Sequence, residues 1–416
     1  MYVFVRYWQY AALVVLAAMV FCFWLFLYPF VPVVREISQL FLWTGGYFME
    51  RIVMPGGMAQ YLGEMIAQFF INPVNGALAY TLIFIVAQQL SALWLRQFFP
   101  MLKVPYRFAF SLIMPVVLMW LALLPYVPLT PTMAVMMVMA AGCGVMSLPQ
   151  AKRLWVLLPT IAVMYWLAGP AAVLLVFCCI RWFPFTAALL AACMVGSSYL
   201  VPYPLWQVVR GIDYFAAPGR IGLQMSTYEE MECDMLFRQG EWQQIVSRFQ
   251  HPVSPAVHSA VLIACHKTGR MSKQQLMSRL VVPAGQQQSA PSVFNIGDRQ
   301  FVVSFGSVSS AFMLSDMAYH LYWTYISQRA AFEAMEYIPN YNKSGRALKR
   351  LVETNIISGH YDVARKYIAI LEKATFYRKW AQSMRRYVDN PELIEDNTFF
   401  KAARKEYANT ADVFFI

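Results

Sequence analysis

The sequence predicts an all-α protein, with a polytopic helical membrane bundle of six or seven spans in residues 1–204 and a soluble domain of helical hairpins in residues 205–416. The first observation is composition. Of the 416 residues 59% are hydrophobic and the mean hydropathy is +0.47, which is too apolar for a soluble protein. The second is the distribution of charge: residues 1–204 hold nine of the 33 Lys and Arg residues and three of the 22 acidic residues. The first half therefore has the composition of a membrane domain, and the second that of a mixed-charge soluble domain.

The first span is predicted at 10–31, an uncharged segment long enough to cross a bilayer. No small-residue cleavage site is evident, so we interpret it as a retained span rather than a signal peptide. The spans at 154–168 and 170–180 are short and meet at Gly169-Pro170, so they are either one broken span or two pieces. The remaining candidate spans are 77–95, 108–127, 131–148 and 184–202.

The basic residues predict the orientation. If there are seven spans, seven of the nine basic residues of this half lie on one side, which the positive-inside rule assigns to the cytoplasm; they are Arg6, Arg96, Lys103, Arg107, Lys152, Arg153 and Arg181. Residues 32–76 and the tail then face outward, which is the periplasm if the protein lies in a bacterial inner membrane. Six spans would instead leave the tail in the cytoplasm.

The net charge of +11 does not indicate nucleic-acid binding. It divides into +6 in residues 1–204 (nine basic minus three acidic) and +5 beyond them (24 minus 19), and the membrane half uses its excess in short loops. We expect the lipid bilayer as a partner and no nucleic acid.

Of the three acidic residues in the loop 32–76, Glu50 and Glu64 lie on either side of the break Pro55-Gly56-Gly57. On a helix over 58–70, one face is apolar and is formed by Met58, Leu62, Met65, Ile66 and Phe69. The opposite stripe is polar and is formed by Gln60, Glu64 and Gln68, with Tyr61 beside it. This pattern predicts an amphipathic helix at the membrane interface with its polar stripe in solvent. Glu50 has no such periodic role.

Local signals in the tail predict helices in pairs. The segment 226–230 has the spacing of a capping box, Ser226 with Glu229 or Thr227 with Glu230. Ser254-Pro255 predicts another helix start, further pairs are predicted at 315–338 and 344–374, and the turn-rich stretch 201–220 forms the boundary to the membrane half. An irregular insert at about 283–310 begins as low-complexity linker and ends as a β-hairpin or a stiff loop.

The pair at 344–374 resembles a tetratricopeptide repeat, with Gly359, Tyr361, Ala364 and Ile368 at matching offsets. A looser copy carries Gly240, Trp242 and Ile245, whereas the spacing between pairs is irregular and no closing proline follows. The resemblance implies an array of about four hairpins that docks a protein partner. The alternative is a structural cap on the membrane half.

A basic and aromatic cluster follows the last hairpin, formed by Arg378, Lys379, Arg385 and Arg386. Such a cluster suits anionic headgroups, an acidic partner or polysaccharide, or it is a solvated basic face.

The layout of both halves resembles a family of bacterial multi-span membrane proteins of unknown function, of the kind found in Bacteroides-type genomes. The resemblance rests on Pro55-Gly56-Gly57, Tyr61-Leu62-Gly63, Gln68-Phe69-Phe70 and the tail segment ending at Tyr377-Arg378-Lys379-Trp380-Ala381. It implies no particular activity.

The loop after the first span is also similar in layout to that of GT-C membrane glycosyltransferases. That resemblance implies a loop carboxylate as general base for a lipid-linked sugar donor, with Glu50 or Glu64 as the available positions. The adjacent acidic pair often seen in that family is missing here.

Patterns of other chemistry are missing from the sequence. There is no P-loop, HExxH, GxSxG or paired CxxC, and His258, Cys265 and His266 are too loosely spaced to predict a metal site. We expect no metal and no cofactor, and the sequence leaves open whether Cys233 and Cys265 pair. The favoured hypothesis is an inner-membrane protein whose tail is a periplasmic scaffold in envelope biogenesis. The alternative is a membrane glycosyltransferase, and a transporter is disfavoured because the spans hold essentially no ionisable residues.

Overall fold

The computed structural model describes residues 2–124, 127–212, 214, 225–283, 292–296, 299–303, 307–338 and 343–410. The chain divides into two compact units. Unit 1 comprises Met1–Glu36 and Trp43–Ile221, and unit 2 comprises Ile37–Leu42 and Gly222–Ile416. Apart from one small sheet, the described residues fold into helices, so the all-α prediction is confirmed at this level. The predicted boundary stretch 201–220 lies partly outside the described residues.

Unit 1 is helical throughout its described residues. Its helices are α1 (Tyr2–Cys22), α2 (Phe30–Ile37), α3 (Gly45–Ile52), α4 (Gly57–Ala67), α5 (Pro73–Phe98), α6 (Val104–Ser111), α7 (Ile113–Leu123), α8 (Thr130–Met146), α9 (Gln150–Ala168), α10 (Val173–Val176), α11 (Phe183–Leu200) and α12 (Leu205–Arg210). A π-helical turn extends α1 through Phe23–Leu27, and 3-10 turns cover Gln68–Ile71, Gly169–Ala172 and Phe177–Trp182.

Four helical stretches among the described residues are long and apolar enough to cross a membrane. They are Trp8–Leu27, Pro73–Phe98, Val104–Leu123 and Gln150–Leu200, and Thr130–Met146 is a shorter apolar helix. The stretch Gln150–Leu200 is interrupted where the sequence predicts a break, because α9 ends at Gly169, whose φ of +66° lies in the left-handed region that glycine favours.

The break at Gly169 is packed against the loop before α4. The amide of Gly56 donates to the carbonyl oxygen of Trp166 at 2.8 Å, and a Cβ on Gly56 would lie 3.6 Å from the Cα of Gly169. Gly56 also has a positive φ, +86°. A Cβ on Gly57 would lie 1.8 Å from the carbonyl oxygen of Arg51. The Pro-Gly-Gly motif is thus required by a tight reversal from α3 into α4.

Unit 2 consists mainly of paired helices. They are α13 (Met225–Gln239), α14 (Trp242–Arg248), α15 (Pro255–Lys267), α16 (Lys273–Leu280), α17 (Val308–His320), α18 (Thr324–Glu336), α19 (Gly345–Ile357), α20 (Tyr361–Leu371), α21 (Arg378–Asp389) and α22 (Thr398–Thr410). The predicted turns at Gly240 and Gly359 lie between α13 and α14 and between α19 and α20, with φ of +72° and +82°. The third pair begins at Val308, earlier than the 315 predicted.

The insert forms a three-stranded antiparallel sheet of β1 (Val281–Pro283), β2 (Ser292–Ile296) and β3 (Arg299–Val303), in the order β1-β3-β2. Phe294 of β2 pairs with Phe301 of β3, so of the two predicted alternatives, a β-hairpin or a stiff loop, the hairpin is present. The strand β1 was not predicted, because its partner β3 lies beyond the linker. Residues 284–291, which the sequence assigns to that linker, lie outside the described residues.

The predicted capping box at 226–230 is wrong. Ser226 and Thr227 lie inside α13, which begins at Met225. The two glutamates act on a neighbouring helix instead: Glu229 accepts from the amides of Val253 and Ser254 at 3.1 and 3.2 Å, and Glu230 accepts from the Ser254 hydroxyl at 2.5 Å. Ser254 is the predicted residue before α15, with Pro255 at its first turn. The two glutamates bond to the neighbouring helix rather than to their own, because these contacts satisfy the free polar groups at the start of α15.

Candidate functional site

The polar stripe of α4 is buried, contrary to the prediction of a solvated stripe. Glu64 is 3% exposed, and Gln60 and Gln68 are also buried. Tyr61 is half-buried, whereas Phe69, on the predicted apolar face, is exposed. The periodicity of the helix was predicted correctly, but its polar side faces the protein interior, because partners for Glu64 lie there.

The carboxylate of Glu64 is held by three side chains. Its Oε2 atom accepts from the Tyr47 hydroxyl at 2.5 Å and from Nε of Arg51 at 2.9 Å. Its Oε1 atom accepts from the Gln60 amide at 3.1 Å. Gln60 is one turn from Glu64 on α4, whereas Tyr47 and Arg51 are one turn apart on α3. The cluster Tyr47–Arg51–Gln60–Glu64, hereafter the Glu64 cluster, therefore joins two helices.

The start of α3 explains how Tyr47 and Arg51 are positioned. The Thr44 side chain caps α3 by accepting from the amide of Tyr47 at 3.3 Å. The spacing of four residues then stacks the Arg51 guanidinium over the Tyr47 ring, 4.7 Å from its centroid, and Nη2 of Arg51 donates to the Tyr47 hydroxyl at 3.2 Å. The tight reversal through Gly56 and Gly57 brings α4 back against this face.

The electrostatics of the Glu64 cluster keep Tyr47 protonated and Arg51 charged. Burial and the charge of Glu64 raise the pKa of the Tyr47 hydroxyl well above its usual value, so it remains a proton donor. Burial lowers the pKa of Arg51, but attraction to Glu64 and Tyr47 outweighs burial and the pKa lies above its usual value. Glu64 thus accepts hydrogen bonds from a permanent cation and a neutral phenol.

The Glu64 cluster is therefore suited to joining α3 to α4 rather than to proton transfer. A general base needs a carboxylate within hydrogen-bond reach of a substrate proton. Glu64 is 3% exposed, and both of its oxygens already accept hydrogen bonds. Substrate would have to displace Tyr47, Arg51 or Gln60 to reach it.

Glu50 has the opposite environment. Its side chain is 66% exposed, and Oε1 lies 3.5 Å from Nη1 of Arg51. Arg51 thus contacts both glutamates that the sequence singles out, Glu64 through Nε and Glu50 through Nη1. Of the two, Glu50 is the carboxylate that solvent or a ligand reaches.

The predicted basic cluster lies on α21, and all four of its members are exposed: Arg378, Lys379, Arg385 and Arg386. Two of them contact the end of α20. Nε of Arg378 donates to the Glu372 carbonyl oxygen at 2.9 Å, and Nη2 of Arg385 donates to the Glu372 carboxylate at 2.7 Å. Arg386 donates to the Tyr387 hydroxyl at 2.8 Å. Part of the basic charge thus fixes α21 against α20.

Unit 2 also contains a buried ionic network that the sequence analysis missed. Arg346 makes a bidentate pair with Asp234, at 2.7 and 2.6 Å, and donates to Asp316 at 2.5 Å. Arg350 donates to the other oxygen of Asp316 at 2.7 Å and contacts Glu353 at 2.8 Å. The network joins α13, α17 and α19. A lone aspartate within the apolar sequence of α17, and two arginines one turn apart on α19, were the available signals.

The network sets the charge state of Asp316. Burial raises the pKa of Asp316, but Arg346 and Arg350 outweigh burial and hold it below the usual range. Asp316 is therefore an ionised carboxylate between two guanidinium groups. A carboxylate bound in this way stabilises the helix packing and has no free proton-accepting role.

The described residues contain no group of three or more His, Cys, Asp or Glu side chains that could hold a metal ion. Cys233 is buried and Cys265 half-buried, and both are free thiols, so they do not pair with each other in this structure. Nδ1 of His266 lies 2.9 Å from the Met271 carbonyl oxygen, a contact that closes the turn after α15.

A sequence model of one protein family matches residues 6–416, which is nearly the whole chain. The chain belongs to the family of unknown function DUF6057. No curated protein matches the chain, and no solved structure matches it. The match covers both units, so the membrane-like half and the helical tail belong to one family architecture.

Proposed function

We propose that this member of DUF6057 is an integral membrane protein of the bacterial inner membrane whose helical tail is a periplasmic interaction module, serving cell-envelope biogenesis. The proposal starts from the four apolar helical stretches in unit 1. Their lipid-facing positions carry large exposed apolar side chains such as Phe26, Leu82 and Val116, which a bilayer would cover.

Contacts within unit 1 support seven crossings. One set of contacts joins Gly56 to Trp166, Arg35 to Leu124 and Tyr214 to Ala168. With seven crossings, all these residues lie on the outer side. With six crossings, Ala168 would lie in the middle of the membrane, away from the polar loop that contains Gly56.

A second set of contacts supports the same topology at the opposite ends of the helices. Trp94 donates to the carbonyl oxygen of Met139 at 2.6 Å, Gln97 donates to that of Cys143 at 3.1 Å, and Arg153 donates to that of Met146 at 2.9 Å. These ends carry the basic residues, as the positive-inside rule requires of the cytoplasmic side.

The chain segments that make up unit 2 support an outward tail. The segment Ile37–Leu42, which follows the first span by a few residues, belongs to unit 2. Its Leu40 is buried in a hydrophobic cluster with Leu348 and Leu351 of α19. This packing requires the tail to lie on the same side of the membrane as residues 37–42. An even number of crossings must then separate them, giving seven in total.

The tail has the properties of an interaction scaffold. Ala364 and Ile368 of α20, at the positions that resemble a tetratricopeptide repeat, are buried, and the turn glycine Gly359 has the expected positive φ. Hairpins of this kind stack to expose a continuous surface. We assign the tail a protein partner, with the basic face of α21 as the first candidate surface.

The four apolar helical stretches carry the proposal, and the environment of Glu64 weighs against its use as a general base. The buried carboxylate that the transferase hypothesis would use is held by Tyr47, Arg51 and Gln60. The second candidate function, a GT-C-like transferase acting on a lipid-linked sugar, is supported by one observation: Glu50 is exposed beside Arg51. In that case Glu50 would be the base and Arg51 would face the phosphate of the donor.

Single substitutions separate the two candidates. In cells that lack the gene, we expect the Glu50→Gln variant to complement the cell-envelope defect as well as the wild type does. Charge reversal of Lys379 together with Arg386 on α21 should abolish complementation at a normal protein level. Loss of complementation in the Glu50→Gln variant alone, again at a normal protein level, would favour the transferase. Gln382→Glu, an exposed change on the same helix, is the matched control for α21.

A further inference from the structure

A cavity of about 550 Å³ opens between three helical segments at one end of unit 1. Its walls are almost entirely apolar, with one hydroxyl, and they are formed by Ser91, Leu95, Phe99, Leu102, Phe110, Ile113, Met114 and Val117. We call it the α5–α7 groove.

The sequence explains the shape of the groove. Ser91, Leu95 and Phe99 are four apart, so they form one stripe along the end of α5. Residues 110, 113, 114 and 117 have the spacing of one face of α6 and α7. Several wall residues are themselves exposed, including Phe99, Phe110 and Ile113. The groove is therefore open toward the surface that a bilayer would cover.

Two basic residues are adjacent in the chain to wall residues of the α5–α7 groove. Arg96 follows the wall residue Leu95 in the last turn of α5, and Lys103 follows the wall residue Leu102 immediately before α6; both side chains are exposed. The positive end of the α6 dipole lies at the same place.

Arg107 fixes the loop between the two cations. Its Nη2 atom donates to the Leu102 carbonyl oxygen at 2.9 Å and lies 3.5 Å from the Pro100 carbonyl oxygen. Its Nε atom is buried without a hydrogen-bond partner among the described residues. Arg107 thus holds its guanidinium against the backbone of the wall residue Leu102, and guanidinium groups pair well with phosphate.

We propose that the α5–α7 groove binds one anionic phospholipid, with an acyl chain along the apolar walls and its phosphate at Arg96, Lys103 and Arg107. An apolar groove facing a bilayer takes a chain, and a basic pocket on the cytoplasmic side takes an anionic headgroup. The combination of both features at one place selects an anionic lipid over a zwitterionic one. This inference rests on the proposed membrane insertion.

Native mass spectrometry of the full-length protein in detergent tests the selectivity. Phosphatidylglycerol and phosphatidylcholine with the same two oleoyl chains are titrated separately. We expect one phosphatidylglycerol to bind about tenfold more tightly than phosphatidylcholine. The double variant Arg96→Gln with Lys103→Gln should remove that preference. Lys152→Gln, which removes a cation of the same predicted side without touching the groove, should retain it.

Three outcomes would overturn the proposal in this experiment. One is equal binding of both lipids to the wild-type protein, and another is an equal loss of selectivity in Lys152→Gln and in the double variant. The third comes from a separate arm with excess inorganic phosphate, in which displacement of all bound lipid by phosphate would show that the cations form a phosphate site without the groove.

Photo-cross-linking uses only the wild-type protein, so its result does not depend on whether a variant folds. The wild-type protein is reconstituted in vesicles containing phosphatidylglycerol with a diazirine in one acyl chain, and adducts are mapped by peptide mass spectrometry. We expect adducts concentrated in 91–117. Uniform adducts over all apolar helices would contradict the groove while leaving membrane insertion intact. Recovery of the protein from the soluble fraction would instead contradict the proposed function.

Discussion

The Nε atom of Arg51 lies 2.9 Å from Oε2 of Glu64, and the same carboxylate oxygen accepts a hydrogen bond from Tyr47. This contact changes the role of the glutamate that the sequence presents as a surface residue. Glu64 links α3 to α4 across a tight glycine turn and is a structural residue, whereas Glu50 is the accessible one.

We predict that Glu64→Gln destabilises the protein by about 2 kcal/mol. Removing one partner of a buried ion pair costs roughly 3–5 kcal/mol, and the loss is smaller here because the Arg51 side chain is 14% exposed. Glu50→Gln is the matched control and should leave the melting temperature unchanged. Thermal unfolding of the full chain in detergent measures both, and equal melting temperatures of the two variants would contradict a structural role for Glu64.

We predict that Arg346→Ala destabilises unit 2 by about 3–5 kcal/mol, because it leaves the carboxylates of Asp234 and Asp316 buried with fewer partners. Arg365→Ala is the control, since its side chain is 51% exposed and surface pairs contribute at most ~1 kcal/mol. Limited proteolysis of the tail during heating follows both variants. Comparable protease resistance of the two would refute the importance of the buried network.

We predict that unit 2 loses stability between neutral pH and about pH 4 through His320. Burial, with Lys267 and Arg350 nearby, lowers the pKa of His320 to about 4 from its ordinary 6.5, while Asp316 acts in the opposite direction. The rings of Phe237 and Trp242 also pack against it. Because the unfolded chain binds the proton first as pH falls, stability decreases below about pH 6.5.

The loss reaches about 2 kcal/mol at pH 5 from these two pKa values. This loss of stability is measured by hydrogen exchange of α17 peptides in the full chain at pH 7 and pH 5. The rates are corrected for the intrinsic exchange rate at each pH. His320→Gln should remove most of the pH dependence. An unchanged dependence in that variant would assign the effect to other groups, such as the carboxylates of the buried network.

The α4 helix shows what the sequence could and could not predict about the site. A spacing of four residues correctly places Gln60, Glu64 and Gln68 on one face, because helical periodicity is local. It does not say whether that face meets water or protein. The decisive partner, Arg51, is 13 residues from Glu64, across a reversal whose geometry depends on the positive φ of Gly56.

The buried network shows the same limit over a longer range. Arg346 and Asp234 are 112 residues apart, and no periodic signal relates them. By contrast, the turns at Gly240 and Gly359 were predictable, because a glycine between two amphipathic segments reports a local backbone requirement. The glycine turns were therefore predictable from local sequence, whereas the capping box at 226–230 and the pairing of polar groups between helices were not.

The side of the membrane on which the tail lies is the most direct test of the account. Dual alkaline-phosphatase and fluorescent-protein reporters are fused after residue 150, after residue 205 and at the end of the full chain. We predict a cytoplasmic signal at 150 and a periplasmic signal at both other positions. A cytoplasmic signal at 205 and at the end of the chain would contradict the seven-span topology and, with it, a periplasmic interaction module.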